Sequence, residues 1–273
     1  MSSEPGISLT TARGGRADLR LAIPPVNVLG VADLLRLAAC VEEANAARVL
    51  VLTGLPRAFS AGVAIADHEP TPEAIDSMLA AMRRVLESLL RAPAVTVAAV
   101  SGACLGGGAE IAAACDVVIT AADARIGFPE IRFACFPPGG VALLPARIGP
   151  ARASEWILTG RVLSGAEAAD AGFASRAVNA GRLDREIERL VRDLLGKSPA
   201  ALAAALDLLR SPRREAFAAL LPRAEDSYRR LAGDPALREA VAGFESRRRS
   251  SRGRPEREDP AETPPGGGKA RRR

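Results

Sequence analysis

Histidine and lysine are nearly absent from this chain: its 273 residues include one histidine, His68, and only two lysines, Lys197 and Lys269. Ser-His-Asp, Cys-His and His-metal chemistries all need an imidazole at the site, so only His68 could serve any of them. Cysteine is limited to Cys40, Cys104, Cys115 and Cys135, with no Cys-x-x-Cys pair. That spacing argues against a zinc site or a disulfide framework and makes them small core residues. The opening Met1 to Gly6 has neither a basic stretch nor an apolar run, so nothing there resembles a secretory signal and a cytoplasmic protein is expected. A long apolar run is also missing. Residues 92 to 122 come nearest, but Pro93, three consecutive glycines, Glu110 and Asp116 interrupt them. A carboxylate at mid-bilayer is costly, so the stretch is expected to be a soluble core with no membrane partner.

Net charge is +5, which raises the question of a nucleic-acid partner until the charges are located. Residues 247 to 273 hold ten of the 37 basic groups and four of the 32 acidic ones, leaving 27 against 28 elsewhere. The body is near neutral and no nucleic-acid binding is expected. Residues 250 to 273, with Pro264, Pro265 and three glycines, have little apolar surface to bury and are expected to form a disordered, solubilising basic tail. The rest, at 48% hydrophobic residues for the whole chain, is long enough for one large core.

Alternating strands and helices are predicted along that body. Residues 7 to 12 and 17 to 23 form a hairpin around Gly14-Gly15, and Asn27 is a candidate cap for a helix carrying Val31, Leu34, Leu35, Ala38 and Val41. The run Val49 to Thr53 is a strand buried on both faces. A loop over 54 to 72 precedes a helix whose stripe, Ile75, Met78, Leu79, Met82, Val85, Leu86 and Leu89, is expected to be core. Further strands are expected at 94 to 100 and Val117 to Thr120, with a helix at about 106 to 115 between them. Beyond Pro150 the pattern is mostly helical, with Ser164 as a cap, a stripe of Leu183, Ile187, Leu190 and Leu194, and cap-plus-proline starts at Ser198-Pro199 and Asp234-Pro235.

The segment Ser101 to Glu110 contains three consecutive glycines between a buried strand and a helix. Glycine lets a ligand approach the backbone, and first-turn helix amides have no internal partner, so the segment is suited to an anion or a developing oxyanion. Glu110 lies three residues after Gly107, about one turn along. A second loop, Arg57 to Gly62, could present the Ala61 amide. Glu130 follows Gly127-Phe-Pro129, a turn that could open a short helix. If Glu110 and Glu130 share an apolar pocket, repulsion and burial keep a proton on one of them near neutrality, giving an acid and a base. For an arbitrary glutamate the plainer reading is a helix-start carboxylate facing the macrodipole. Walker and Rossmann spacings are absent.

These segments together resemble the crotonase (enoyl-CoA hydratase/isomerase) family, over about residues 7 to 249. Arg57-Ala-Phe-Ser-Ala-Gly-Val is similar to its first oxyanion loop, Cys104 to Asp116 to its second, and Phe128-Pro-Glu130-Ile to its catalytic loop. Leu158-Thr-Gly-Arg and Ala166 to Gly172 are similar to a later signature, and Glu239 to Arg249, with Phe244, to its last helix. The resemblance implies an α/β fold, a crotonase-type spiral of ββα units with a C-terminal helical layer from about residue 182, the domain spanning 1 to 249. It implies an enoyl-CoA hydratase assembled as a homotrimer or hexamer, with an acyl-CoA substrate and no cofactor beyond the coenzyme A that the substrate carries. It implies an oxyanion hole of the Ala61 and Gly107 amides, with Glu110 activating water and Glu130 protonating C2. Arginine must then meet most of the coenzyme A phosphate charge, Arg57 being one candidate. The chain departs from the common family pattern at Ala64, at Phe128 and at Pro137 to Pro145. Ile65 to Pro70, Pro129 to Phe136 and Leu143 to Arg147 are most similar to hydratases of cyclic dienoyl-CoA esters such as cyclohexa-1,5-diene-1-carbonyl-CoA. Ile65, His68 and Phe128 are therefore substrate-contact candidates.

Three other classes are weighed. A Clp-like serine peptidase would need Ser60 or Ser101 to find a histidine other than His68. A metal site at Glu110 and Glu130 lacks further ligands at suitable spacing. A non-catalytic acyl-CoA binder is favoured by the departures and opposed by the two glutamates.

Overall fold

The protein is described here by a computed structural model, covering residues 6–64, 71–231, 233–240 and 242–243. Ile65, His68, Phe244 and the expected disordered tail lie outside these described residues.

The chain opens with β1 (Gly6–Ala12) and β2 (Arg16–Ala22), an antiparallel hairpin pairing Ala12 with Arg16. Then come β3 (Val28–Leu29), α1 (Val31–Glu43), β4 (Val49–Thr53), β5 (Ala58–Ser60), β6 (Gly62–Val63) and α2 (Pro72–Arg91). Next are β7 (Val95–Val100), β8 (Ala103–Leu105), α3 (Gly107–Ala114), β9 (Val117–Ala121), β10 (Arg125–Gly127), a 3-10 turn over Pro129–Phe133, and α4 (Pro138–Ile148). The chain continues with α5 (Pro150–Thr159), β11 (Val162–Ser164), α6 (Gly165–Asp170), β12 (Arg176–Val178), α7 (Leu183–Leu195) and α8 (Pro199–Leu231).

A repeating unit accounts for this order. A core strand enters a six-stranded sheet, a short strand enters a four-stranded one, and a helix returns. The series β4-β5-α2, β7-β8-α3 and β9-β10-α4 makes three such ββα turns. The large sheet runs β1-β2-β4-β7-β9-β12 and the small one β11-β10-β8-β5, parallel except at their outer pairs β1–β2 and β10–β11. Parallel strands are covered on both faces, which is why β4 and β7 are apolar on both sides, with only Thr53 and Thr96 polar. Alternation divides them: Leu50 and Leu52 join the main core with α1 and α2, while Val49 and Val51 join Val95, Val97 and Ile119 under Leu183, Ile187 and Val191 of α7. The four cysteines are buried and unpaired.

Two local expectations change. Asn27 does not cap α1; Gly30 does, its amide held by Asp33 Oδ2 at 2.9 Å. Asn27 instead sits buried in the left-handed region at φ 53°, accepting from Ile23 N at 2.7 Å and donating to the carbonyls of Leu21, Ala58 and Phe59 at 3.1, 3.0 and 2.9 Å. An amide that ties β2 to β5 through three carbonyls is a better use of a buried polar group than a cap. The expected loop over 54 to 72 contains β5 and β6, whose partners β8 and β3 are distant or short enough to escape a local pattern.

The C-terminal helices hold the site-bearing helix α3. Arg210 of α8 bonds Asp116, just past α3, with Nε to Oδ1 at 2.7 Å. Arg147 of α4 donates to the carbonyls of Ala113 and Cys115 at 3.0 and 2.8 Å, and Arg213 of α8 to that of Ala114 at 2.6 Å. These cations satisfy the free carbonyls at the helix end that carries partial negative charge. No helix among the described residues is long and apolar enough to cross a membrane.

Candidate active site

The other end of α3 opens into a cavity of about 320 Å³. Its walls are mostly apolar: Met78, Leu79, Met82 and Leu86 of α2, Phe133 at the end of the Glu130 turn and Phe136 after it, and Leu221 and Tyr228 of α8. The α2 stripe expected to be core thus serves both purposes, lining the cavity at four positions. Glu110 and Glu130 both reach this space.

Glycines make the approach possible. Gly106, at φ 53°, leaves only 2.7 Å between the place of a β-carbon and Glu130 Oε1. Gly108 is pressed against Ser60, where a β-carbon would stand 2.5 Å from its carbonyl oxygen. Larger residues at either position would push α3 from the first loop or the glutamate from the cavity.

Glu110 is 3% exposed and its Oε1 accepts the Gly140 amide at 2.8 Å. Burial pushes its carboxyl up to about 7, against the pull of the Gly139 and Gly140 amides. Glu130 is raised to about 8, first by burial and then by the charge of Glu110. Its Oε2 is buried without a hydrogen-bond partner among the described residues. Two carboxyls that discourage each other from ionising share protons as a pair, and near neutrality such a pair offers both an acid and a base.

The Gly107 amide opens α3 without an intrahelical acceptor, and Gly107 lines the cavity. Ala61 requires a correction. It lines the same cavity, but its N–H is donated to Val26 O at 3.0 Å. Three residues on, Ala64 gives its amide to Leu29 O at 2.9 Å. Neighbouring amides point to opposite sides of an extended strand, so that of Val63, next to Ala64, turns away from β3, while Gly62 at φ 106° breaks the alternation back to Ala61. The Val63 nitrogen is 3.7 Å from the place a β-carbon on Gly107 would take. The two loops therefore bring Val63 N and Gly107 N together.

Two further candidates are corrected. Phe128 is fully buried outside the cavity, edge-on to Trp156 and Phe173 at centroid distances of 5.5 and 6.4 Å. It supports the Glu130 turn from behind and is a core residue. Arg57 is exposed and does not line the cavity; its carbonyl accepts the Ala103 amide at 3.0 Å, which joins the two loops. Four polar side chains in the walls were missed: Arg83 with Glu225, paired Nε to Oε1 at 3.0 Å, and Cys135 with Tyr228. Tyr228 is the only tyrosine in the chain, and its isolation in a long helix was the one available signal.

Residues 21–251 match the enoyl-CoA hydratase/isomerase family, and the chain is an enzyme of that family. A Bacillus subtilis (strain 168) protein named "Probable enoyl-CoA hydratase" is 35% identical over 202 residues, covering 71% of this chain and 78% of the relative. Cyclohexa-1,5-dienecarbonyl-CoA hydratase from Thauera aromatica is 35% identical over 157 residues, covering 56% and 60%. Among solved structures, an enoyl-CoA hydratase from Mycobacterium avium subsp. paratuberculosis K-10 superposes with a TM-score of 0.81 at 26% identity, covering 89% of this chain and 96% of that one. An acyl-CoA substrate follows from the family.

Proposed function

We propose that this enzyme adds water across the C2=C3 double bond of an enoyl-CoA thioester. The observation that carries the reading is the pair of glutamates, Glu110 buried and Glu130 half-buried, both raised by burial, in one mostly apolar cavity beside the Gly107 amide. The thioester oxygen is received by the amides of Gly107 and Val63, each donor contributing a factor on the order of 100 to 1,000 as enolate charge develops. Glu110, held by Gly140, takes a proton from the water as its oxygen bonds to C3. The electron pair of the double bond moves toward the thioester, and Glu130, the carboxyl with the stronger hold on its proton, delivers that proton to C2. Both steps are proton transfers, so no cofactor beyond the coenzyme A of the substrate is called for.

Similarity to the Thauera aromatica protein supports a cyclic dienoyl ester as substrate. The test is hydration of cyclohexa-1,5-diene-1-carbonyl-CoA beside crotonyl-CoA, read by product mass and loss of the conjugated thioester absorbance. Water added to the cyclic diene alone supports the narrow reading, and water added to crotonyl-CoA a general hydratase. A double-bond shift without added water would replace hydration by isomerisation, and binding without any reaction would make the protein an acyl-CoA binder.

Assembly as a homotrimer or hexamer is part of the same proposal. Leu158 of α5 and Leu208 and Leu209 of α8 are 69%, 73% and 74% exposed, apolar surface that a second copy would cover. Sedimentation at micromolar concentration tests it, and a monomer there rules it out.

A further inference from the structure

Tyr228 brings the one hydroxyl into a cavity whose other polar side chains are Glu110, Glu130 and the Arg83–Glu225 pair, yet it is only 2% exposed. Its ring is set edge-on to Phe136 at 5.9 Å and 66°. The phenol hydrogen-bonds the Cys135 thiol. That thiol lies over the Glu130 carbonyl, Sγ to O at 3.4 Å. The same carbonyl also receives the Cys135 amide at 3.3 Å and the amide of Ala134, a non-glycine residue at φ 56°. The turn that aims Glu130 thus closes on one oxygen, and a chain of two hydrogen bonds links that oxygen to α8.

We propose that Tyr228 is a positioning residue for Glu130, acting through Cys135, so that docking of the C-terminal half of α8 is required for proton delivery. The inference rests on the hydratase reading for its kinetic readout only. Glu130 feels Glu110 from α3, while Cys135 and Tyr228 feel both glutamates; Arg83 and Glu225, on the same walls, neutralise each other. Glu130 also accepts a hydrogen bond from its own backbone amide, which lowers its carboxyl against the effect of burial. When the turn loosens, that bond weakens and Glu130 holds its proton to higher pH.

Tyr228→Phe keeps the ring and removes only the hydroxyl. Turnover is expected to fall about tenfold with KM within about twofold, because a shift of the order of an ångström at a reacting group costs rate before binding. The pH limb governed by Glu130 should move upward. Cys135→Ala should behave like Tyr228→Phe, the double variant no worse than either, and Cys135→Ser, which keeps a donor and an acceptor, near wild type. Equal turnover and an unmoved pH limb in Tyr228→Phe overturn the proposal, as does a double variant whose losses multiply. Carbon-13 NMR titration of the Glu130 carboxyl, assigned with Glu130→Gln, gives a readout independent of catalysis. Should wild type hydrate neither thioester, the hydratase reading fails, while an unmoved Glu130 midpoint in Tyr228→Phe still decides against the relay.

Discussion

Replacing Glu110 with glutamine should make the protein more stable at alkaline pH while removing its activity. The buried carboxyl is raised from 4.5 to about 7, so between those values the folded state holds a proton that the unfolded state has released. Stability from that proton is fully present below pH 4.5 and is lost as pH rises through about 7. At about 1.4 kcal/mol per pH unit the ionised carboxylate costs at most about 3 kcal/mol. Glutamine keeps the shape and an acceptor for the Gly140 amide, now met by Glu110 Oε1 at 2.8 Å, but it cannot ionise. Wild type and Glu110→Gln should therefore melt alike near pH 4.5 and diverge by about 2 to 3 kcal/mol at pH 8.5, the variant being the more stable. For a domain of this size that is about 4 to 10 °C in melting temperature. Melts followed by circular dichroism every half unit of pH measure the gap, and crotonyl-CoA turnover in the same samples should be lower by a factor of 100 or more. Parallel stability curves would refute the argument, since they would mean that Glu110 ionises in the folded protein as it does in water.

Glu130→Gln should lower turnover at least about 100-fold with KM nearly unchanged, because a proton donor is lost and no binding group is. In wild type, kcat/KM should fall above about pH 8 as the pair loses its second proton, a limb measurable with any accepted thioester. Gly106→Ala places a β-carbon 2.7 Å from Glu130 Oε1 at φ 53°. The carboxyl can swing aside, so the fold should lose only roughly 1 to 2 kcal/mol while turnover falls more than tenfold. Arg210→Ala strands the carboxylate of Asp116, which Arg210 meets at 2.7 Å, and should cost about 3 kcal/mol in denaturant unfolding. A loss below about 1 kcal/mol would show that Thr96, whose amide and hydroxyl each donate to Asp116 Oδ2 at 2.8 Å, suffices together with Arg213 at 3.9 Å.

Much of the ββα core was legible because its signal is local. The runs at 49 to 53 and 94 to 100 are apolar except at Thr53 and Thr96, a pattern that suits strands covered on both faces. Ser164 caps α6 as expected, accepting from Glu167 N at 3.2 Å, and the Glu167 side chain completes a capping box. What failed was any inference about direction. Ala61 and Val63 differ by two residues, and only the pairing with β3 decides which amide is spent and which is turned to α3. Phe128 sits two residues before Glu130 in the chain yet points into the opposite layer, against Trp156 from α5.

By itself, the amino-acid sequence determined the class of fold, the glycine-rich start of α3, the two glutamates and the exclusion of histidine-based chemistry beyond His68. Those depend on residue type and short-range spacing. Tertiary structure alone decided that the glutamates meet in one cavity, that their carboxyls are raised, and that α8 returns to wall it with Tyr228. Burial, mutual repulsion and the free direction of an amide are properties of what surrounds a group, and here the surroundings come from segments as far apart as Val63 and Leu237.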